Sequence, residues 1–182
     1  KGYYLGEREF QLAELKLRVD AVQSSRFITA KKSNELIEKL ERQTSIYGAQ
    51  TLQRQVFVAG RVKSMNESVY YNIDAIHKAI GENRQITFRY FDYDQNLKKV
   101  FRHNGKRYRV SPYALLRSDE NYYLTAYDSR AEQIKHYRVD KMVEINVTDR
   151  RRDGAEAYQS FDLGEYARIH FGMFKGEERE VL

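Results

Sequence analysis

From Lys106 to Lys141 the chain reads KRYRVSPYALLRSDENYYLTAYDSRAEQIKHYRVDK, a stretch in which aromatic and basic residues alternate. Tyr108, Val110, Tyr123, Thr125, Tyr127, Lys135, Tyr137 and Val139 recur at period two, the spacing that puts side chains on one face of a strand. Turn signals at Ser118 to Asn121 and at Asp128 to Glu132 divide the run into three short strands. Such a chain must build a small antiparallel sheet, and its basic and aromatic face has the chemistry of a binding surface.

The charge follows the same stretch. Residues Glu82 to Arg152 hold 16 Lys or Arg against 10 Asp or Glu, which accounts for the whole net charge of +6, and they hold eight of the 15 tyrosines. Cations beside flat rings suit phosphates and bases, through counterion release and stacking of about 1–3 kcal/mol per base. The plainer alternative is a solvated strand face over a small core. Of 182 residues, 41% are hydrophobic, enough for one domain or two small ones. No apolar run approaches the roughly 20 residues of a membrane helix, and no secretory leader is found at the start. The chain has no cysteine and therefore uses no disulfides.

Ahead of the strands, Leu12, Leu15, Val19 and Val22 form an a/d stripe on a first helix, either plain core or the seam of a homodimer. A second helix is expected from a Thr29 cap to Gln43, with Ile28, Leu36, Ile37 and Leu40 inward. A helical turn near Ile46 to Leu52 follows, and Val56 to Val62 reads as strand or linker. The third helix is predicted to start at an Asn72 cap and stop at Gly81, burying Ile73, Ile76 and Ile80, with His77 as a structural histidine. Gln85 to Tyr93 alternates with aromatics on both faces, and Lys98 to Arg102 is a basic strand. His103 to Lys106 carries the Asn-Gly pair of a type I′ hairpin leading to Tyr108. The sole proline, Pro112, marks an edge, a bulge or a break. Five short strands after a helix predict a small, strongly bent barrel. Asp149 to Gly154 is read as a charged linker, and Leu163 to His170 as a short helix.

Several of these elements, in order, resemble the WYL family of bacterial transcription regulators. Tyr122, Tyr123 and Leu124 stand for the Trp-Tyr-Leu triplet. Phe88 to Tyr90 gives the Phe-x-Tyr feature, Val110 to Pro112 the Val-x-Pro step, and Tyr137 to Asp140 the closing run. Tyr122 replaces Trp, and Lys135 replaces an Arg whose planar fork it cannot reproduce. The resemblance implies an α+β chain: a helical segment at 1–65, an Sm-like or SH3-like β-barrel at 66–148, and a linker with the start of a C-terminal α/β extension at 149–182. It further implies a winged helix-turn-helix ahead of residue 1, Gly2 to Leu5 looking like the last strand of its wing, and duplex DNA as that head's partner. The expected role is ligand sensing in the cytoplasm as part of a homodimeric regulator, with a nucleotide or single-stranded nucleic acid as effector. The alternatives are a constitutive oligomerisation module and an RNA-binding accessory protein. The candidate ligand contacts are Arg138, His136, Arg109 and Lys135, with Tyr90, Tyr113 and Tyr122 as stacking or hydroxyl partners. Period two puts Arg138 and His136 on one face and Lys135 on the other, and the Arg138 face is preferred. Against it stands an ordinary Arg138–Asp140 ion pair. No Walker loop, Cys/His cluster or nucleophile elbow occurs, so no enzyme, cofactor or metal is expected.

Overall fold

The computed structural model describes residues 10–52, 63–118 and 120–161. The expectations for the opening segment, for Val56 to Val62 and for Leu163 to His170 lie outside these residues. The chain divides into two compact units, Lys1–Glu67 and Ser68–Leu182.

The first unit is helical: α1 (Leu12–Ser24), α2 (Ala30–Glu41) and α3 (Ile46–Leu52). Thr29 caps α2 as expected, its hydroxyl accepting from the Lys32 amide at 3.1 Å, and the helix ends two residues short of Gln43. Leu15 and Val19 of the α1 stripe are buried with Leu52 of α3, and Phe10, Leu12, Ile37 and Leu40 pack around them. Leu15 and Val19 of the stripe are thus covered from within their own unit. Lys63 closes the α1–α2 junction, donating to the Val22 and Ser25 carbonyls at 3.3 and 2.8 Å and to the Ser33 hydroxyl at 2.8 Å. Burial of this ammonium lowers its pKa.

The second unit is α+β: α4 (Val69–Gly81), strands β1 (Arg84–Tyr93), β2 (Lys99–Phe101), β3 (Tyr108–Ser118), β4 (Asn121–Asp128), β5 (Gln133–Arg138) and β6 (Met142–Arg151), and α5 (Ala155–Gln159). The helix cap moves. Ser68, not Asn72, precedes α4, and Asn72 is buried inside it, its amide donating to the carbonyls of Met142 at 2.7 Å and Val139 at 3.4 Å. A 3₁₀ turn at Val139–Lys141 connects β5 to β6, and the Asn72 amide satisfies the carbonyls of Val139 and Met142 at its borders. The buried stripe is accordingly Val69, Asn72, Ile76 and Ala79; Ile73 and Ile80 are half-buried and His77 is exposed.

The six strands form one curled antiparallel sheet, a half-barrel ordered β2-β1-β3-β4-β5 with β6 on the other side of β1. Six strands replace the five expected. β2 and β3 do not form the predicted hairpin. Both pair instead with the long β1, β2 opposite Phe91 to Tyr93 and β3 opposite Ile86 to Phe88. The corner between them is a left-handed turn, with φ of 48° at His103, 53° at Asn104 and 76° at Gly105. Pro112 falls at a register shift against β4, the bulge that a residue lacking an amide proton favours. Both faces of β1 are covered, Ile86, Phe88 and Phe91 being wholly buried.

The stretch from Asp149 to Gly154 is not a free linker. β6 runs on to Arg151, opposite Arg84. Arg152 then donates to the Asn83 side chain at 2.7 Å and to the Pro112 carbonyl at 2.8 Å. The Asp153 amide donates to the Ser111 hydroxyl, and its carboxylate accepts from Gln85 and Ser129. Arg152 and Asp153 thus tie the end of β6 to β3 and to the β4–β5 turn.

Candidate anion-binding cleft

β3 pairs with β4 only from Ser111 onward, opposite Tyr127, so Tyr108 to Val110 have β1 on one side and an open edge on the other. Because β3 and β4 are antiparallel, the start of β3 and the end of β4 lie at the same end of the sheet. Between them is a cleft of about 240 Å³ lined by His103, Lys106, Arg107, Tyr108, Arg109, Asp128, Arg130 and Lys135. Five Lys or Arg side chains there face one carboxylate.

Those cations are not equivalent. Arg107 is engaged by the Glu144 carboxylate at 2.5 Å, which Arg89 also meets. Lys135 reaches Asp128 at 2.6 Å. Register explains this pair: Lys135 lies opposite Ala126 on β5 and β4, and Gln133 opposite Asp128, so both members share one sheet face two positions apart. Burial works against the charged form of Asp128, but the Lys135 ammonium and the Arg130 amide outweigh it and hold the carboxyl below its usual value. Among the described residues Lys106, Arg109 and Arg130 carry no ion pair, which leaves three uncompensated cations at the cleft.

Of the lining residues, Tyr108 belongs to an aromatic cluster. Tyr108 stacks on Phe88 with ring centres 5.3 Å apart and planes 7° from parallel, and Tyr90 and Tyr137 meet this pair edge to face. Phe88, Tyr90 and Tyr137 are buried, whereas Tyr108 is partly exposed. Desolvation raises the Tyr90 phenol to about 12 and pushes Tyr137 higher still, with Asp128 adding to the latter shift, so both stay neutral. Tyr137 is 6% exposed, and its buried hydroxyl finds no hydrogen-bond partner. Left-handed backbone at His103 costs about 1–2 kcal/mol, and residues held that way gather at ligand sites.

Of the sequence candidates, Arg109 and Lys135 line this cleft. The others stand elsewhere. Arg138 donates to Asp140 at 2.8 and 3.1 Å and to the Asn121 side chain at 3.1 Å, while its amide donates to the Tyr90 hydroxyl. It ties β5 to the start of β4, and the Arg138–Asp140 pair is formed. The Tyr113 ring lies between Tyr158, 4.4 Å away and nearly parallel, and the Arg152 guanidinium at 4.6 Å, with its hydroxyl donated to the Asp153 carbonyl. His136 lies beside Phe161 and Tyr122 beside Arg117. Sequence reading missed His103, Lys106, Tyr108, Asp128 and Arg130. The turn signals HNGK and DSRAE contained the clue, since antiparallel order brings them to one end.

Asp128 and Asp92, the latter held down against its own burial by Lys141 and Arg102, give the sheet a defined acid limit. A depressed carboxyl contributes stability that is fully present above its unfolded value, about 3.9, and is lost as the pH falls through the lower folded value. The melting temperature should therefore be insensitive to these groups from pH 7 to about 5 and drop below about pH 4. Asp128→Asn should flatten part of that drop, as read by melting curves across the range.

Residues 71–147 match the model of the WYL domain. The match spans the end of α4's first turn through most of β6 and includes every cleft residue. None of the curated proteins matches the chain in sequence. Among solved structures it is similar to proteasome accessory factor B/C (PafBC) of Arthrobacter aurescens, with 21% identity and a TM-score of 0.42 over 84% of this chain. The chain spans 23% of the length of that protein.

Proposed function

We propose that this WYL domain is the sensing part of a transcription regulator and binds an anionic, nucleotide-containing effector in the cleft between the start of β3 and the β4–β5 turn. The observation carrying this reading is the set of three uncompensated cations, Lys106, Arg109 and Arg130, around the partly exposed ring of Tyr108. Phosphate oxygens would replace the missing counter-charges, and a base would lie on the tyrosine. The role is binding without catalysis, and no group of His, Cys, Asp or Glu able to hold a metal exists among the described residues. Output through duplex DNA, cytoplasmic location and homodimeric assembly belong to the same proposal.

The test is a fluorescence-anisotropy titration of the chain with labelled single-stranded DNA, RNA and mononucleotides. Replacing Lys106, Arg109 and Arg130 together by Gln should weaken binding about tenfold or more and flatten its salt dependence. Unchanged affinity in that variant would place the ligand elsewhere. Absence of binding to every anion tried would favour a constitutive oligomerisation module, and tight binding to RNA alone would favour the accessory role.

A further inference from the structure

The cleft's chemistry goes further than "anion", and resting on the reading just given, we infer that it takes one nucleotide unit through a terminal phosphate, as a free nucleotide or a strand end, and does not track a run of bases. A strand-tracking groove needs successive aromatic platforms and a continuing file of cations. Here the offered rings are Tyr108 and, 5.6 Å from it, the His103 imidazole, both at one spot. Phe88, Tyr90 and Tyr137 complete the aromatic cluster but are 0%, 8% and 6% exposed, so of that cluster Tyr108 alone can receive a base.

The cations end as abruptly. Arg107 is engaged by Glu144, which also holds Arg89. Arg102 and Lys141 share Asp92 at 2.5 and 2.6 Å. Arg138, on the opposite face of β5 from Lys135, is paired with Asp140. Lys106, Arg109 and Arg130 are therefore bordered by cations already engaged by carboxylates, and the file of unpaired ones does not continue through them. A phosphomonoester matches such a closed set better than a diester does. It carries up to two charges and three terminal oxygens, where an internal phosphodiester carries one charge and two. Asp128 adds selectivity. Its carboxylate, held ionised by Lys135, repels a second acidic group beside it and can accept from a hydroxyl or amine of the ligand.

The experiment is a ligand series against the full chain at fixed ionic strength: a nucleoside, its 5′-monophosphate, and single strands of two, four and eight nucleotides with and without a 5′-phosphate. The nucleoside should bind about tenfold or more weakly than its monophosphate, and removing the 5′-phosphate should weaken each strand similarly. Lengthening a phosphorylated strand from two to eight nucleotides should change affinity by less than about threefold. Affinity that climbs steadily with length and ignores the 5′-phosphate would overturn the inference. If that climb is abolished by the Lys106, Arg109 and Arg130 replacements, the cleft remains the site and only the single-nucleotide claim fails. If the replacements change nothing in the series, the cleft assignment itself is wrong, and the two failures are told apart.

Discussion

Phe88→Ala should destabilise the strand unit by about 3–5 kcal/mol, the range for truncating a fully buried phenylalanine. Phe88 is 0% exposed and is the ring on which three tyrosines converge: Tyr108 face to face at 5.3 Å, Tyr137 edge-on at 5.2 Å and Tyr90 edge-on at 6.3 Å. Alanine removes the apolar contact, leaves a cavity between strands that cannot collapse without breaking register, and forfeits ring pairs worth about 0.5–1.5 kcal/mol each. Leucine, which keeps most of the volume, should cost much less. Urea unfolding followed by tyrosine fluorescence reads both. A loss under about 1 kcal/mol for the alanine variant would mean that the aromatic cluster is not the core of the sheet. The substitution also reaches the cleft, because Tyr108 rests on Phe88, so ligand affinity should fall even where the variant is folded.

The second large effect is expected at Gly154. Its backbone is left-handed at φ 79°, and an added Cβ would lie 2.2 Å from the first ring carbon of Tyr127. Left-handed backbone costs a non-glycine residue about 1–2 kcal/mol. Overpacking adds about 1–3 kcal/mol, and the ring cannot swing away because the clash is at its root. Gly154→Ala should therefore cost about 2–5 kcal/mol and loosen the Asp153 contacts to Ser111, Gln85 and Ser129 beside it. Gly81→Ala is the matched control: nothing lies within 4 Å of that Cβ and the backbone needs no glycine. It should shift stability by no more than about 1 kcal/mol. Equal effects at the two glycines would contradict the packing of β6 and its exit against β4.

What could be read before the fold was known divides along physical lines. Period-two alternation, the Thr29 cap, the covered faces of β1 and the bulge at Pro112 are local consequences of local residues, and the structure has each of them. Asn72 shows the limit. An asparagine ahead of an isoleucine-rich helix has the chemistry of a cap, and the same amide serves equally to satisfy the carbonyls of Val139 and Met142, some 70 residues away. Nothing near position 72 distinguishes the two uses. The Asn-Gly corner misled for a related reason: its left-handed backbone is present, but the ten-residue β1 is long enough to pair with both β2 and β3 at different positions, which removes the need to pair them with each other. At the cleft, Arg109 and Lys135 were visible because they flank family motifs. Lys106 and Arg130 sit in turns, where a charge ordinarily means solvent, and only antiparallel order brings those turns together. Arg138 drew attention by its motif position, yet the carboxylate two residues on occupies it.

The most direct test of the account sets the two basic sites against each other with one ligand. Affinity for a nucleoside 5′-monophosphate is measured in the wild type, in Arg138→Gln, and in the variant with Lys106, Arg109 and Arg130 changed to Gln, each checked by its melting curve. The account predicts that Arg138→Gln keeps affinity within about twofold while the cleft variant loses about tenfold or more. Loss of binding in a folded Arg138→Gln, with the cleft variant unaffected, would contradict it and return the site to the other face of β5.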